Sequence, residues 1–205
     1  MPSVDRDGSS SPGSERPGSR RPSVRQRSRE SALVELVDEH GRAISQTTVA
    51  EAHRPPGLLH RAFSVVLFSS RGLVLLQQRA TTKMRFAGQW GPSCCGHYVP
   101  GATVEDCATT RVREELGLVD VPLQVAGECR YLISDEVDGQ IEAEFNHVVA
   151  GICDETPQPD PDEVAAVHWM EIPSVFAELA AGNRAYVRWL NDVLPVAVAW
   201  HEFSS

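Results

Sequence analysis

Thr103-Val-Glu-Asp-Cys-Ala-Thr-Thr-Arg-Val-Arg-Glu-Glu-Leu-Gly-Leu118 is the stretch whose reading decides the fold. Thr103 is an N-cap residue type, because its hydroxyl can accept from an amide of the first helical turn. Gly117 stands where a helix commonly ends in left-handed backbone. The interval predicts a helix over Thr103–Leu116. Arg111, Glu114 and Glu115 lie within about one turn of one another, so they can face a common site.

Strand signals flank this helix. Ala32–Val37 and Arg42–Gln46 read as partners around the turn Asp38–Gly41. Ala62–Phe68 and Leu73–Gln78 are apolar runs joined by Ser70-Arg-Gly72, a hairpin signal. Val121–Ile133 and Gln140–Ile152 read as strands around Asp135–Gly139, and Val164–Glu171 as a further strand. Pro173–Ala180 and Arg184–Leu194 read as terminal helices, broken by Gly182 and Pro195. The expected class is α/β (α+β), a mixed central sheet sandwiched by helices.

The 205 residues fit one domain with a tail. Residues 1–30 are rich in Arg, Ser, Pro and Gly and are expected to be disordered, leaving 31–205 as the folded domain. Charge divides along the same line. The tail has seven Arg against four acids, and the remainder 12 basic against 24 acidic residues. So acidic a body excludes a nucleic-acid partner, which would need clustered Lys and Arg. No apolar run nears the roughly 18 residues of a membrane span, and the N-terminus lacks the apolar core of a secretory signal. Five cysteines without regular spacing argue against a disulfide scaffold and for a reducing, cytoplasmic setting. A monomer is expected.

The chemistry-bearing residues lie on both sides of the helix. Ser93-Cys-Cys-Gly-His97 places a thiol and an imidazole two residues apart on a Gly-containing turn. Glu142-Ala-Glu144 places two carboxylates on one face of an expected strand. Such carboxylates repel unless a metal or proton sits between them. His53 and His60 add two imidazoles, which together suffice for a metal site beside a reactive cysteine. His40, His168 and His201 read as structural, and His147 falls on the opposite strand face. Cys94, Cys107, Cys129 and Cys153 read as small buried hydrophobes.

Gly96, Val112, Glu114-Glu115, Gly117 and Leu118 fall in the spacing of a Nudix box. Ala102, Thr110 and Arg111 depart from the hydrolase form of that box. An Arg in place of a carboxylate turns a cation-binding position into an anion-binding one. The combination resembles the type I isopentenyl-diphosphate isomerase branch of the Nudix superfamily over roughly residues 32–195. Ala52-His53, Leu59–Ser64, Gln78-Arg79-Ala80 with Lys83, Ser93–His97, the helix, Glu142-x-Glu144 and Trp189 carry the resemblance, in order.

The resemblance implies a Nudix-type fold and interconversion of isopentenyl and dimethylallyl diphosphates in isoprene biosynthesis. It implies that His53, His60, His97, Glu142 and Glu144 bind one Mn²⁺, Mg²⁺ or Zn²⁺. Cys95 and Glu144 would be the proton-transfer groups, with Tyr131 assisting Glu144 and the π face of Trp189 stabilising a carbocation. Arg79, Lys83 and Arg111 would bind the diphosphate, and Glu115 a second Mg²⁺ bridging to it. No flavin is expected, since no Gly-rich nucleotide motif is present. Trp189 reads equally as a core residue on a helix face, and Arg79 and Lys83 as solvated charges. Val49, Gly91-Pro92, Tyr98, Ala102 and Tyr186-Val-Arg188 depart from the family pattern. A Nudix hydrolase of a nucleoside or prenyl diphosphate, or a non-catalytic prenyl-diphosphate binder, are the alternative readings.

Overall fold

The computed structural model describes residues 24–97, 99–137 and 139–204. A short helix α1 (Val24–Glu30) leads into an antiparallel hairpin, β1 (Leu33–Val37) and β2 (Ala43–Thr48). One helical turn follows, α2 (Val49–Ala52), whose first turn is capped by the Thr48 hydroxyl accepting from the Glu51 amide. The chain then enters β3 (His60–Phe68), β4 (Leu73–Arg79), β5 (Trp90–Gly91) and β6 (Cys94–His97).

Helix α3 (Val104–Leu116) comes next, followed by β7 (Gln124–Ser134), β8 (Ile141–Ile152) and β9 (Val164–Glu171). Helices α4 (Ile172–Ala180) and α5 (Leu190–Ser204) close the described chain. Thr103 caps α3 through Asp106, and Gly117 ends it at φ +67°. A Cβ on Gly117 would lie 2.7 Å from the Gln158 carbonyl oxygen, so neither the angle nor the space admits another residue.

The sheet is organised around β3, whose residues from Ala62 to Phe68 are buried on both faces. Such a near-continuous apolar run marks a central strand covered on both sides. Strand β8 lies parallel along one edge of β3, from His60↔Glu144 to Phe68↔Ile152, and β7 pairs antiparallel outside it. The other edge of β3 is shared in turn by β1, β6 and β4. Strand β9 pairs with β4, so the sheet is mixed.

Two cores sandwich it. Phe63, Val65 and Leu67 pack against Val104, Ala108, Val112 and Leu116 of α3. Val66 and Phe68, with Val148 and Ala150 of β8, pack against Leu190, Val193, Leu194 and Ala197 of α5. Full burial of each such Val, Leu or Phe is worth about 1.5–3 kcal/mol relative to exposure.

This second face changes character along its length. On β3 it runs His60, Ala62, Ser64, Val66, Phe68, and on β8 it runs Glu142, Glu144, Asn146, Val148, Ala150. Strand alternation puts all of these on one face, with the polar residues towards the start of β3 and β8 and the α5-covered apolar residues following them. The site lies where the apolar cover ends.

The structure corrects three expectations. Residues 24–30 are helical and docked on the body, not a disordered tail, and the rest of that tail lies outside the described residues. Ser93–His97 is not a turn: Cys94–His97 form β6, paired with β3. The last helix starts at Leu190 and continues through Pro195 to Ser204. Pro195 sits just past the first turn, so it removes a single helical hydrogen bond while Val193, Leu194 and Ala197 keep their burial.

Candidate active site

Four adjacent strands, β6, β3, β8 and β7, present their side chains on one face of the sheet. Register sets Cys95 opposite Ser64, His97 opposite Ala62, His60 opposite Glu144, and Glu144 opposite Tyr131. His53 arrives from the C-terminal end of α2. Ligand atoms of His53, His60, His97 and Glu144 lie within 4.8 Å of one another.

The imidazoles are prepared as ligands. His53 Nδ1 and His60 Nδ1 each lie 2.7 Å from a backbone carbonyl, of Val49 and Leu58, and must carry the proton donated to it. For His60 that leaves the Nε2 lone pair facing the cluster, whereas His53 Nε2 meets the Glu142 carboxylate. Nε2 of His60 and of His97 are buried without a hydrogen-bond partner among the described residues. Burial, with the neighbouring rings, holds His97 well below the ordinary imidazole range; burial also lowers His60, against the pull of Glu144. Buried neutral imidazoles converging on a carboxylate with unpaired nitrogens fit a divalent cation, whose charge would replace the missing protons.

Two expected ligands stand apart from that group of four. Glu142 contacts His53 Nε2 at 2.9 Å and Arg85 Nε at 3.5 Å, so it flanks the cluster through His53. Burial opposes ionisation of both partners. The Glu142 charge nevertheless raises His53, and His53 lowers Glu142. Glu115 is farther off on α3, among cations: Lys83 at 3.3 Å, Arg111 at 3.2 Å and Arg29 at 3.6 Å. Burial pushes its carboxyl up, but Lys83, Arg111, Arg29 and Arg79 outweigh burial and bring it to about 2.

Glu144 is the most elaborated group. Its Oε2 accepts from the Tyr131 hydroxyl and, at 2.9 Å, from Asn146 Nδ2, which also donates to the Tyr131 oxygen at 3.0 Å. Burial, and then the Glu144 charge, push Tyr131 well above the usual phenol range, so it stays a donor. Cys95 lies across β3 from this group, 3.4 Å from the Ser64 hydroxyl. Burial pushes its thiol up to about 11, against the pull of Ser64 and Arg79, so it is protonated near neutral pH.

Trp189 precedes α5 rather than lying in it. It is buried, edge-on to Phe86 at 4.8 Å and stacked on Tyr131 at 6.2 Å, with the Arg79 guanidinium 5.9 Å from its ring centroid. Its π face is thus both packed and able to attract positive charge. Cys95, His97, Arg79, Lys83, Arg111 and Trp189 line one cavity, with Tyr131, Glu142 and Glu144. Gly96 lets Arg111 in: a Cβ there would meet Arg111 Nη2 at 3.1 Å and Phe63 Cζ at 3.0 Å.

Sequence reasoning overlooked five contributors. Ser64 and Asn146 continue the rows of His60 and Glu144 at two-residue steps, a signal that was available. Glu163 is fully buried and holds both Lys83 and Arg29, while Arg85 binds Glu30 through both terminal nitrogens at 2.9 Å. For Arg29, Arg85 and Glu163 no local signal exists, because their partners are distant in sequence.

The NUDIX domain family matches residues 58–190. The isopentenyl-diphosphate Delta-isomerase of Nocardia farcinica is 52% identical over 172 residues, covering 84% of this chain and 98% of that protein. The protein of the same name from Streptomyces coelicolor is 42% identical over 168 residues, 82% of this chain and 84% of its own. Among solved structures, DR0079 of Deinococcus radiodurans superposes with a TM-score of 0.65 at 20% identity, covering 80% of this chain and 98% of that one. The MutT protein of Methanosarcina mazei Go1 superposes with a TM-score of 0.56 at 14% identity, covering 72% and 96%.

Proposed function

The chain belongs to the isopentenyl-diphosphate Delta-isomerases of the Nudix superfamily, and from that premise we propose how its residues interconvert isopentenyl and dimethylallyl diphosphates. The observation that carries the reading is the placement of the Cys95 thiol and the hydrogen-bonded Glu144 carboxylate on opposite sides of β3, lining one cavity. The reaction adds a proton at one alkene carbon and removes one from the carbon on the diphosphate side. No atom is gained or lost overall. Such a reaction needs two proton-transfer groups, exclusion of water and stabilisation of a tertiary cation.

Cys95 and Glu144 are those two groups; one delivers a proton while the other takes one. Tyr131 and Asn146 hold the Glu144 carboxylate by hydrogen bonds and fix the oxygen that handles the proton. Trp189 offers its π face to the cation. Arg79, Lys83 and Arg111 bind the diphosphate, and Glu115 would hold a Mg²⁺ accompanying it. His53, His60, His97 and Glu144, with Glu142 behind His53, would hold a divalent cation, whose positive charge would orient Glu144 and adjust its basicity. Imidazole with carboxylate suits Mn²⁺, Mg²⁺ or Zn²⁺. Among the described residues no helix is long and apolar enough to cross a membrane.

Cys95→Ala and Glu144→Gln each test the assignment. Either should lower kcat by at least about a thousandfold while the melting temperature stays near wild type, since removing one member of an acid–base pair forfeits its whole step. Turnover retained by either variant contradicts the role.

A further inference from the structure

Helix α1 covers the diphosphate end of the cavity. Gln26, Arg29 and Glu30 line the cavity together with Lys83, Arg79 and Arg111. The helix is fastened at both ends. Gln26 Nε2 donates to the Asp162 carbonyl at 2.7 Å, and Arg25 pairs with Asp160 at 3.3 Å. At the other end Glu30 takes both terminal nitrogens of Arg85, which in turn reaches Glu142. Arg29 lies between these anchors, only 21% exposed. Its guanidinium spans Glu163 at 2.7 Å, Glu114 at 2.8 Å and Glu115 at 3.6 Å.

We propose that Arg29 is a substrate-binding residue, the cation that α1 contributes to the diphosphate site. Charge balance around the cavity carries the argument. Arg29, Lys83 and Arg111 all converge on Glu115, and Arg79 also bears on its charge. Around Glu115 these four cations face the buried carboxylates Glu115 and Glu163 and the partly exposed Glu114, while Arg85 with Glu30, Glu142 and Glu144 lines the rest of the cavity. The end of the cavity where the four cations gather is the end suited to an anion. Arg29, held chiefly by Glu163 and Glu114, lines the cavity beside Lys83, Arg79 and Arg111, and its planar fork matches phosphate oxygens with two parallel hydrogen bonds. Val49, in the adjoining wall, supplies no charge of its own. Arg29 has this role only if the cavity takes a prenyl diphosphate, the reading given above.

The test uses the full chain with Arg29→Ala and Arg29→Lys. Inorganic pyrophosphate with Mg²⁺ is titrated by calorimetry, and KM and kcat are measured with isopentenyl diphosphate. Arg29→Ala should weaken pyrophosphate binding and raise KM by about tenfold or more, the worth of a charged hydrogen bond to phosphate. Its kcat should stay within about twofold. Arg29→Lys should fall between, retaining charge without the fork, and it serves alone if Arg29→Ala fails to fold. Pyrophosphate affinity unchanged in the variants, or tighter, would overturn the proposal; tighter binding would make α1 a plug. Isomerisation by wild type with Arg29 variants unaltered refutes Arg29 alone. Absence of isomerisation in wild type refutes the assigned reaction, while the calorimetry still decides Arg29.

Discussion

Replacing Glu115 by Gln removes the negative charge at the centre of the cation ring without changing its shape. Glu115 is 1% exposed, and Lys83, Arg111 and Arg29 approach it within 3.6 Å. Burial alone would favour the neutral acid, yet these cations and Arg79 lower the carboxyl from the ordinary 4.5 to about 2. At roughly 1.4 kcal/mol per pH unit, folding favours the carboxylate over the neutral group by about 3 kcal/mol more than the unfolded chain does. Glutamine imitates the neutral group.

The ligand-free Glu115→Gln variant should therefore be less stable by about 3 kcal/mol at pH 7, which for a domain of this size lowers Tm by roughly 6–12 °C. The pH dependence has a definite sign. A carboxyl lowered by folding gives its full stabilisation above the unfolded value near 4.5 and loses it as pH falls towards 2. The gap between variant and wild type should thus close over that interval. Inorganic pyrophosphate should stabilise the variant more than wild type, because an added anion replaces the deleted charge. Calorimetric melts at several pH values read all three effects. A variant within about 2 °C of wild type at pH 7, or one more stable, would refute the electrostatic reasoning.

The His cluster predicts that a chelator lowers Tm of purified protein, and that Mn²⁺ or Zn²⁺ at a hundred times its Kd restores about 2.7 kcal/mol. A His60→Ala variant should lose most of that response; an equal response in wild type and variant would place the metal elsewhere. Tyr131→Phe deletes the hydroxyl that donates to Glu144. Steady-state kinetics should show kcat down by about 10- to 100-fold with KM unchanged, as for loss of a group that assists proton transfer, and a KM effect alone would contradict its role.

The parts of the fold legible in sequence were those with local causes. Thr103 and Gly117 delimit α3 through capping geometry, and the β1/β2 and β3/β4 hairpins follow from turn residues between apolar runs. Helix α1 was hidden because its Arg- and Ser-rich composition reads as disordered. Its anchors are Asp160, Asp162 and Glu163, each more than 130 residues away, and Arg85, 55 residues from Glu30. Glu163 was hidden for the same reason, an acid in an apparent loop made tolerable in the interior by distant cations. Pro195 misled in the other direction, since apolar contacts on the α5 face outweigh one missing hydrogen bond. Within the site, strand alternation revealed Glu142 with Glu144 but was not followed two residues further to Asn146.

The central claim, reversible allylic proton transfer by Cys95 and Glu144, is tested most directly by a proton NMR time course. Purified protein is mixed with isopentenyl diphosphate, Mg²⁺ and Mn²⁺ in D₂O. The account predicts dimethylallyl methyl signals accompanied by deuterium incorporation, because both proton-transfer groups exchange with solvent between turnovers. An unchanged substrate spectrum with the His53, His60, His97 and Glu144 site filled, or release of phosphate in its place, would contradict it.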